Sequence, residues 1–462
     1  MKQDVDYRPL AWIAASALFM QALDGTILNT ALPAIATDLN ESPLAMQLAI
    51  ISYALTVALF IPISGWVADK YGTLNVFRVA VITFALGSLA CAFSESLNQL
   101  VASRVLQGFG GSLMMPVARL TIIRAVPKKQ LLSAWNMMAT AGLMGPILGP
   151  ILGGWIVTYT TWHWIFLINI PVSLIGIFLA TKFMPNITGQ LRKLDWNGFW
   201  LFGGGLVGIT LGLDLVTEVF VAKWQAIAII LGGVILLICY ISYAKKHVDQ
   251  ALVPLDLFKV RTFRVGMSAN LLIRLCASGI PFLLPLMYQV AFNFSADKAG
   301  MLITPIAMSS VLAKPISIKL LNRFGYKYVL IGTAMVMTCT IFAMSLLHAD
   351  SAWWILILNV ALYGACISII YSSINTLTVG DLEDKQASAG STMLSVVQQV
   401  GIGIGIAVST LILSVYRYFL GDNIEQLQRA FSYTYMSSAI FDVLLVLVLL
   451  RLHQDDGAHL HK

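Results

Sequence analysis

Apolar residues in this chain arrive in blocks of roughly twenty from one end to the other, about the number a helix needs to cross ~30 Å of hydrocarbon. In lipid a backbone must satisfy its own hydrogen bonds, so a series of such blocks can fold only as a bundle of membrane-spanning helices. Composition agrees. The chain is 58% hydrophobic and 11% charged, whereas soluble domains carry about a quarter charged residues. That excludes a large soluble protein with many buried helices.

The blocks predict fourteen spans, at about 11–35, 46–67, 76–94, 98–122, 133–157, 164–184, 196–216, 224–243, 264–290, 298–320, 328–347, 352–376, 388–414 and 430–451. With the N-terminus inside, the Lys and Arg between spans fall on the cytoplasmic side, from Lys2 and Arg8 to Arg451 and Lys462. Only Lys223, Lys298, Arg417 and Arg429 fall outside. This is the positive-inside pattern, so both termini are expected in the cytoplasm. The net charge of +7 is therefore topology, and no nucleic-acid partner is implied.

The longest internal loops, near 185–195 and 244–263, bracket two spans and leave six before and six after. The expected domains are a six-helix bundle at 11–184, an inserted helical pair with cytoplasmic linkers at 185–263, a second six-helix bundle at 264–451 and a short cytoplasmic tail at 452–462. "PISGWVADKYG" at 62–72 returns as "PISIKLLNRFG" at 315–325, at the end of the second span of each half. The matching position points to duplication, as in many secondary transporters. No G-x-x-x-x-G-K-[ST] segment occurs, so energy is expected from an ion gradient rather than from ATP.

All five cysteines lie within spans without the close spacing of a metal site, and are expected as free thiols packed like small hydrophobes. No metal or cofactor is implied. The first apolar segment reads as an uncleaved span. The tail "HQDDGAHLHK" is too short for a domain; its three histidines could bind metal, but a solvated tail is the expectation.

The fifth span holds "GLMGPILGPILGGW" at 142–155. Gly145, Gly149 and Gly153 recur every four residues and flatten one helix face for close approach of a neighbour, with Gly154 beside them. Pro146 and Pro150 add bends. A passive tight contact explains the glycines; the interleaved prolines suit a helix that rocks. The fourth span holds "RVLQGFGGSLMMP" at 104–116. An arginine at membrane depth costs about 2.5–3.5 kcal/mol on insertion scales, so Arg104 faces a cavity or partner beside Gln107, or else snorkels to the surface.

With "LDGTILNTALP" (23–33), "GWVADKYG" (65–72) and "WHWIFLINIPV" (162–172), these segments resemble the successive signatures of the major facilitator superfamily, in particular its fourteen-span drug:proton antiporter branch. The resemblance covers nearly the whole chain. It implies an all-α membrane protein of the major facilitator fold, with two six-helix bundles plus two extra central transmembrane helices. It also implies alternating access and multidrug efflux: export of small amphipathic molecules in exchange for protons, from a bacterial inner membrane. Asp24 and Arg104 match the residues associated with proton coupling, and the glycine-proline helix matches the antiporter signature. One departure stands out. The family usually follows the second glycine of its loop motif with basic residues, whereas Thr73, Leu74 and Asn75 follow Gly72. Asp69 and Lys70 remain as a candidate cytoplasmic gate, with Arg323 and Lys327 in the second copy.

Asp24 lies near the bilayer midplane on a mainly apolar face. It either couples protons or substrate, or hydrogen-bonds an interrupted helix with help from Thr26, Asn29 and Thr30. Asp442 is the other deep acid, against the bases Arg104, Arg119, Arg274 and Lys314. Arg119 and Lys314 sit where they could snorkel, while Arg274 with Asn270 and Gln107 are candidates to line a substrate cavity. That balance suggests a cavity tolerating anionic or zwitterionic compounds, so export of an anionic metabolite or siderophore-like compound stands as the alternative. A non-transporting membrane receptor and an intramembrane enzyme stand as remote alternatives, the latter without the clustered nucleophile and base it would need. The sequence leaves open whether accessory efflux proteins take part.

Overall fold

A computed structural model describes residues 7–41, 46–190, 193–217, 223–247, 251–294, 296–383, 385–421 and 423–460. Within its helices the side chains of a few residues, including Asn29, Thr30, Pro146 and Pro150, lie outside that description, as do Lys2, Arg192 and Lys462.

Among the described residues every long element is a helix. The first half carries α1 (Arg8–Asp38), α2 (Gln47–Phe60), α3 (Ser64–Tyr71), α4 (Thr73–Ala92), α5 (Leu97–Ala125), α6 (Leu131–Tyr159), α7 (His163–Leu167) and α8 (Asn169–Phe183). Then come α9 (Trp196–Thr217) and α10 (Lys223–Lys246). The second half carries α11 (Arg261–Ala277), α12 (Ile280–Leu286), α13 (Ala296–Met344), α14 (Trp353–Gly380), α15 (Ala387–Leu420) and α16 (Ile424–Leu449). After α12 the chain passes through a π-helical turn, Met287–Ala291, next to Pro285, which supplies no backbone N–H.

Ten stretches among the described residues are long and apolar enough to cross a bilayer. One of them, Lys298–Met344, lies in α13, which breaks at Gly325. Surfaces follow the solvent: α10 exposes Ile227, Leu231, Ile235 and Ile238, a face that water would not tolerate but lipid would. Two of the five thiols, Cys239 and Cys339, are also exposed, whereas Cys91, Cys276 and Cys366 are buried; the packing expected for all five holds for three.

The internal repeat ends on one backbone conformation. Gly72 has φ 87°, ψ 145° and Gly325 has φ 76°, ψ 169°, a region that L side chains avoid. The two glycines of the sequence repeat thus do the same job, turning one helix into the next.

The chain divides into two compact units. One comprises Met1–Gly212, Ala222–Leu257 and Leu382–Val396; the other comprises Leu213–Val221, Phe258–Asp381 and Val397–Lys462. Within the first, α1 packs along α6 and α4 along α5. An apolar cluster that includes Leu23, Ile27, Ile35, Leu100 and Phe166 surrounds α1 from Leu23 onward. Within the second, α14 and α16 pack on α13 and on α11.

The tail departs from expectation. Leu452 and Leu460 are buried, Asp456 pairs with Arg261 and Gln454 Nε2 donates to Tyr328 Oη at 2.5 Å. Gly457 lies against Tyr326, so the tail is docked rather than solvated. Two apolar anchors and an ion pair, spread over nine residues, explain why histidine content was a poor guide.

Candidate functional site

Asp24 lies on α1, which runs unbroken from Arg8 to Asp38, so the reading of an interrupted helix does not hold. Its carboxylate is 1% exposed. Arg104 of α5, also 1% exposed, donates from Nη1 to Asp24 Oδ2 at 2.6 Å. The same nitrogen lies 2.7 Å from Gln107 Oε1, one turn further along α5. Gln107 Nε2 donates to Asp24 Oδ1 at 2.9 Å, closing a three-residue ring. Arg104 Nε donates to the Ala49 carbonyl and its guanidinium lies 4.4 Å from the Tyr53 ring centre. Arg104 therefore does not snorkel: burial of an arginine is tolerated because its charge is paired and its Nε and Nη1 donors are taken up.

Two further helices complete the cluster. Asn169, at the start of α8, donates to Asp24 Oδ1 at 3.3 Å and to Ser88 Oγ of α4 at 3.0 Å. Gln107 Nε2 also reaches Ser88 Oγ, at 3.3 Å. Ser88, Asn169 and Tyr53 were not anticipated. Asn169 had a legible signal, an amide within the apolar run "WHWIFLINIPV", while a lone serine in a span carries none.

The glycine ladder of α6 meets α1 on both sides of this acid. A methyl group on Gly145 would approach Ala22 Cβ to 2.5 Å and the Leu23 backbone nitrogen to 2.9 Å. One on Gly149 would meet Thr26 Oγ1 at 2.1 Å. Thr26 in turn donates toward the Gly145 carbonyl at 3.3 Å. Gly153 is buried, whereas Gly154 faces open space with nothing within 4 Å of such a methyl. In the second unit Gly401 and Gly405 of α15 meet Arg274 of α11 in the same manner, Gly405 against the Arg274 carbonyl. Tight crossing of the first and fifth spans is thus common to both halves.

At the candidate gate, Asp69 pairs with Arg124 of α5 at 2.7 Å, and its carbonyl accepts from Gly189 N–H. Lys70 lies over Trp66 and Tyr71. Two of the three residues that replace the usual basic run, Thr73 and Leu74, bind the chain beyond α8, while Asn75 Nδ2 donates to the Tyr71 carbonyl. Thr73 Oγ1 donates to the Pro185 carbonyl at 2.9 Å, Thr73 N–H to the Ile187 carbonyl, and Leu74 N–H to Asn186 Oδ1. A neutral hydrogen-bonded strap stands where the family usually carries cations. In the second unit Arg323 is exposed over Phe324 and Lys327 is half-buried; neither forms an ion pair among the described residues.

The remaining intramembrane cations are held inside. Arg119 is buried, donating to Ser395 Oγ at 2.7 Å with Trp135 beneath it. Lys314 donates to Ser372 Oγ at 3.0 Å. Neither snorkels. Arg274, 6% exposed, lies 4.6 Å from the Tyr371 ring centre. Asn270 donates to the Gly266 carbonyl and Thr378 Oγ1 within the second unit, whereas Gln107 belongs to the Asp24 cluster.

Known proteins share this arrangement of sequence and helices. The Major Facilitator Superfamily profile matches residues 14–195 and 196–406. The probable transport protein HsrA of Haemophilus influenzae is 56% identical over 99% of this chain and 98% of its own length. The provisionally named multidrug resistance protein MdtD of Salmonella typhi is 40% identical over 96% of this chain and 94% of its own. Two solved structures share the fold at low identity. The human organic anion transporter MFSD10 has a TM-score of 0.68 at 13% identity, over 96% of this chain and 99% of its own. The proton:xylose symporter XylE has a TM-score of 0.67 at 11% identity, over 98% and 96%. The chain belongs to the major facilitator superfamily, and is a multi-pass membrane transporter rather than an enzyme.

Proposed function

We propose that the chain is a proton-coupled exporter of small amphipathic molecules, working by alternating access in a bacterial inner membrane. The observation that carries this is the buried Asp24–Arg104 pair, ringed by Gln107 and Asn169 and flanked by the glycine contacts of α6. A proton arriving on Asp24 would cancel the charge that holds Arg104, and so free two helices that the pair ties together. Movement of α6 along α1 would change the surroundings of the same carboxyl. The relatives named for transport and multidrug resistance support a drug-like substrate.

The proposed topology has fourteen spans: α5, α6 and α9 join the ten stretches counted above, and the arms of α13 on either side of Gly325 count separately. The two six-helix bundles, 11–184 and 264–451, flank the pair inserted at 185–263, with both termini cytoplasmic. Asp69, Lys70, Arg323 and Lys327 belong to the cytoplasmic gate. The test is uptake of a compound panel into inverted vesicles, with and without a pH gradient, for wild type and Asp24→Asn. Uphill transport by the variant with undiminished dissipation of the gradient would sink the assignment of Asp24.

A second reading, export of an anionic or zwitterionic compound, is favoured by Arg274. Its guanidinium is buried on an aromatic ring and pairs with no carboxylate among the described residues. Tight binding of lipophilic cations, none of anions, and an unchanged Arg274→Ala variant would dismiss it.

A further inference from the structure

The second unit contains a buried carboxyl that the Asp24 site does not use. Asp442 of α16 is 0% exposed. Its Oδ2 lies 2.8 Å from Thr338 Oγ1 on α13, and its Oδ1 has no hydrogen-bond partner among the described residues. Asp442 forms no ion pair among the described residues. Among the described residues, Cys276 of α11 and Tyr363 and Cys366 of α14 lie near enough to interact with its charge. Tyr363 is already committed, donating to the Ala277 carbonyl at 2.9 Å.

Thr338 decides what this geometry permits. Its hydroxyl has one hydrogen, yet it lies 3.0 Å from the Ala334 carbonyl as well as 2.8 Å from Asp442. A carbonyl can only accept, so the hydrogen cannot serve both. When Asp442 is ionised, Thr338 donates to it. When Asp442 is protonated, the acid donates to Thr338 Oγ1, whose own hydrogen turns to Ala334. One rotation of a hydroxyl accommodates both states without moving a heavy atom. Asp24 differs: its oxygens accept from Arg104, Gln107 and Asn169, a shell of donors built for a carboxylate. The same pair of spans is used in each half, Ser88 with Asn169 in the first and Thr338 with Asp442 in the second. Only the second pair places an acid there, and it does so without an arginine.

We propose that Asp442, with Thr338 as its switching partner, is a second reversible proton-binding site, located in the second unit. The proton comes from water as the site opens and returns to it unchanged, so no other reactant is needed. A role for this proton in transport rests on the proton-coupled reading above; its binding does not.

The test is infrared difference spectroscopy of purified protein titrated between acidic and alkaline buffer, with no substrate present. The expected result is a protonated-carboxyl C=O band that appears and disappears reversibly. It should be absent in Asp442→Asn, displaced in Asp442→Glu and retained in Asp24→Asn. Should Asp442→Asn fail to fold, the displaced band of Asp442→Glu and a band shift in heavy water identify the group. Spectra of Asp442→Asn or Asp442→Glu that superimpose on wild type, or a wild-type band that never changes with pH, would overturn the proposal. Vesicles assayed in parallel for gradient-driven ethidium export separate the two readings: a titrating Asp442 band without any coupled export supports the site and removes the coupling.

Discussion

Gly145 of α6 stands directly against Ala22 of α1, so close that a methyl group on the glycine would lie 2.5 Å from the alanine Cβ. The adjacent obstacle is backbone, Leu23 N at 2.9 Å, which cannot swing away as a side chain can. Overpacking of this kind costs about 1–3 kcal/mol. Gly145→Ala should therefore lower the melting temperature in detergent and depress transport. Gly154→Ala, with open space at the same ladder's end, should match wild type in both. Equal behaviour of the two variants would show that α6 does not bear on α1 as described.

Removing one member of a buried ion pair strands the other charge, at a cost of about 3–5 kcal/mol. Arg104→Ala is expected to be strongly destabilised, and to lose the hydrogen bonds to Gln107 and Ala49 as well. The double variant Asp24→Asn with Arg104→Gln, which strands no charge, should regain much of that stability while remaining inactive in gradient-driven transport. Thermal unfolding of the single and double variants measures the coupling directly.

The strap at Thr73 can be read by proteolysis. Thr73→Val removes the hydroxyl that donates to the Pro185 carbonyl and accepts from Ile187 N–H. Trypsin should then cut at Lys193 several-fold faster than in wild type. Gly72→Ala should show the same effect more strongly. It adds about 1–2 kcal/mol of backbone strain at positive φ, and its methyl would collide with Asn186.

The docked tail makes a comparable prediction for the second unit. Leu460→Ala deletes a buried side chain packed beside Gly380 and should cost about 2 kcal/mol. Asp456→Asn, which loses the charge opposite the half-exposed Arg261, should cost less. Unfolding midpoints of the two variants in one detergent give the comparison.

Periodicity and charge placement made the helices legible, because lipid leaves a chain few other options. Asp24 and Arg104 were legible for the same reason: each is an expensive residue at membrane depth, so each needed a partner. Their meeting at 2.6 Å across 80 residues was not, because nothing local specifies which buried charge finds which. Ser88 and Asn169 were missed because small polar residues are cheap in spans and so carry little information. The strap beside Asp69 was missed for a different reason. A missing run of cations announces itself, but the hydrogen bonds that stand in its place, from Thr73 and Leu74 to residues 185–187, use backbone groups every residue possesses and two small polar side chains, Thr73 and Asn186, that are common in any loop.

Biosynthesis gives the Asp24–Arg104 pair another consequence. Chains are made from the N-terminus, so α1 is already in the bilayer when α5 leaves the ribosome. Alone, α5 would bring an unmatched guanidinium into hydrocarbon; beside α1 it brings one half of a neutral pair. Insertion of α5 is thereby tied to the earlier arrival of α1 at its side. The acid buried against Arg104 in the first unit is also a docking point for the assembly of that unit in the membrane.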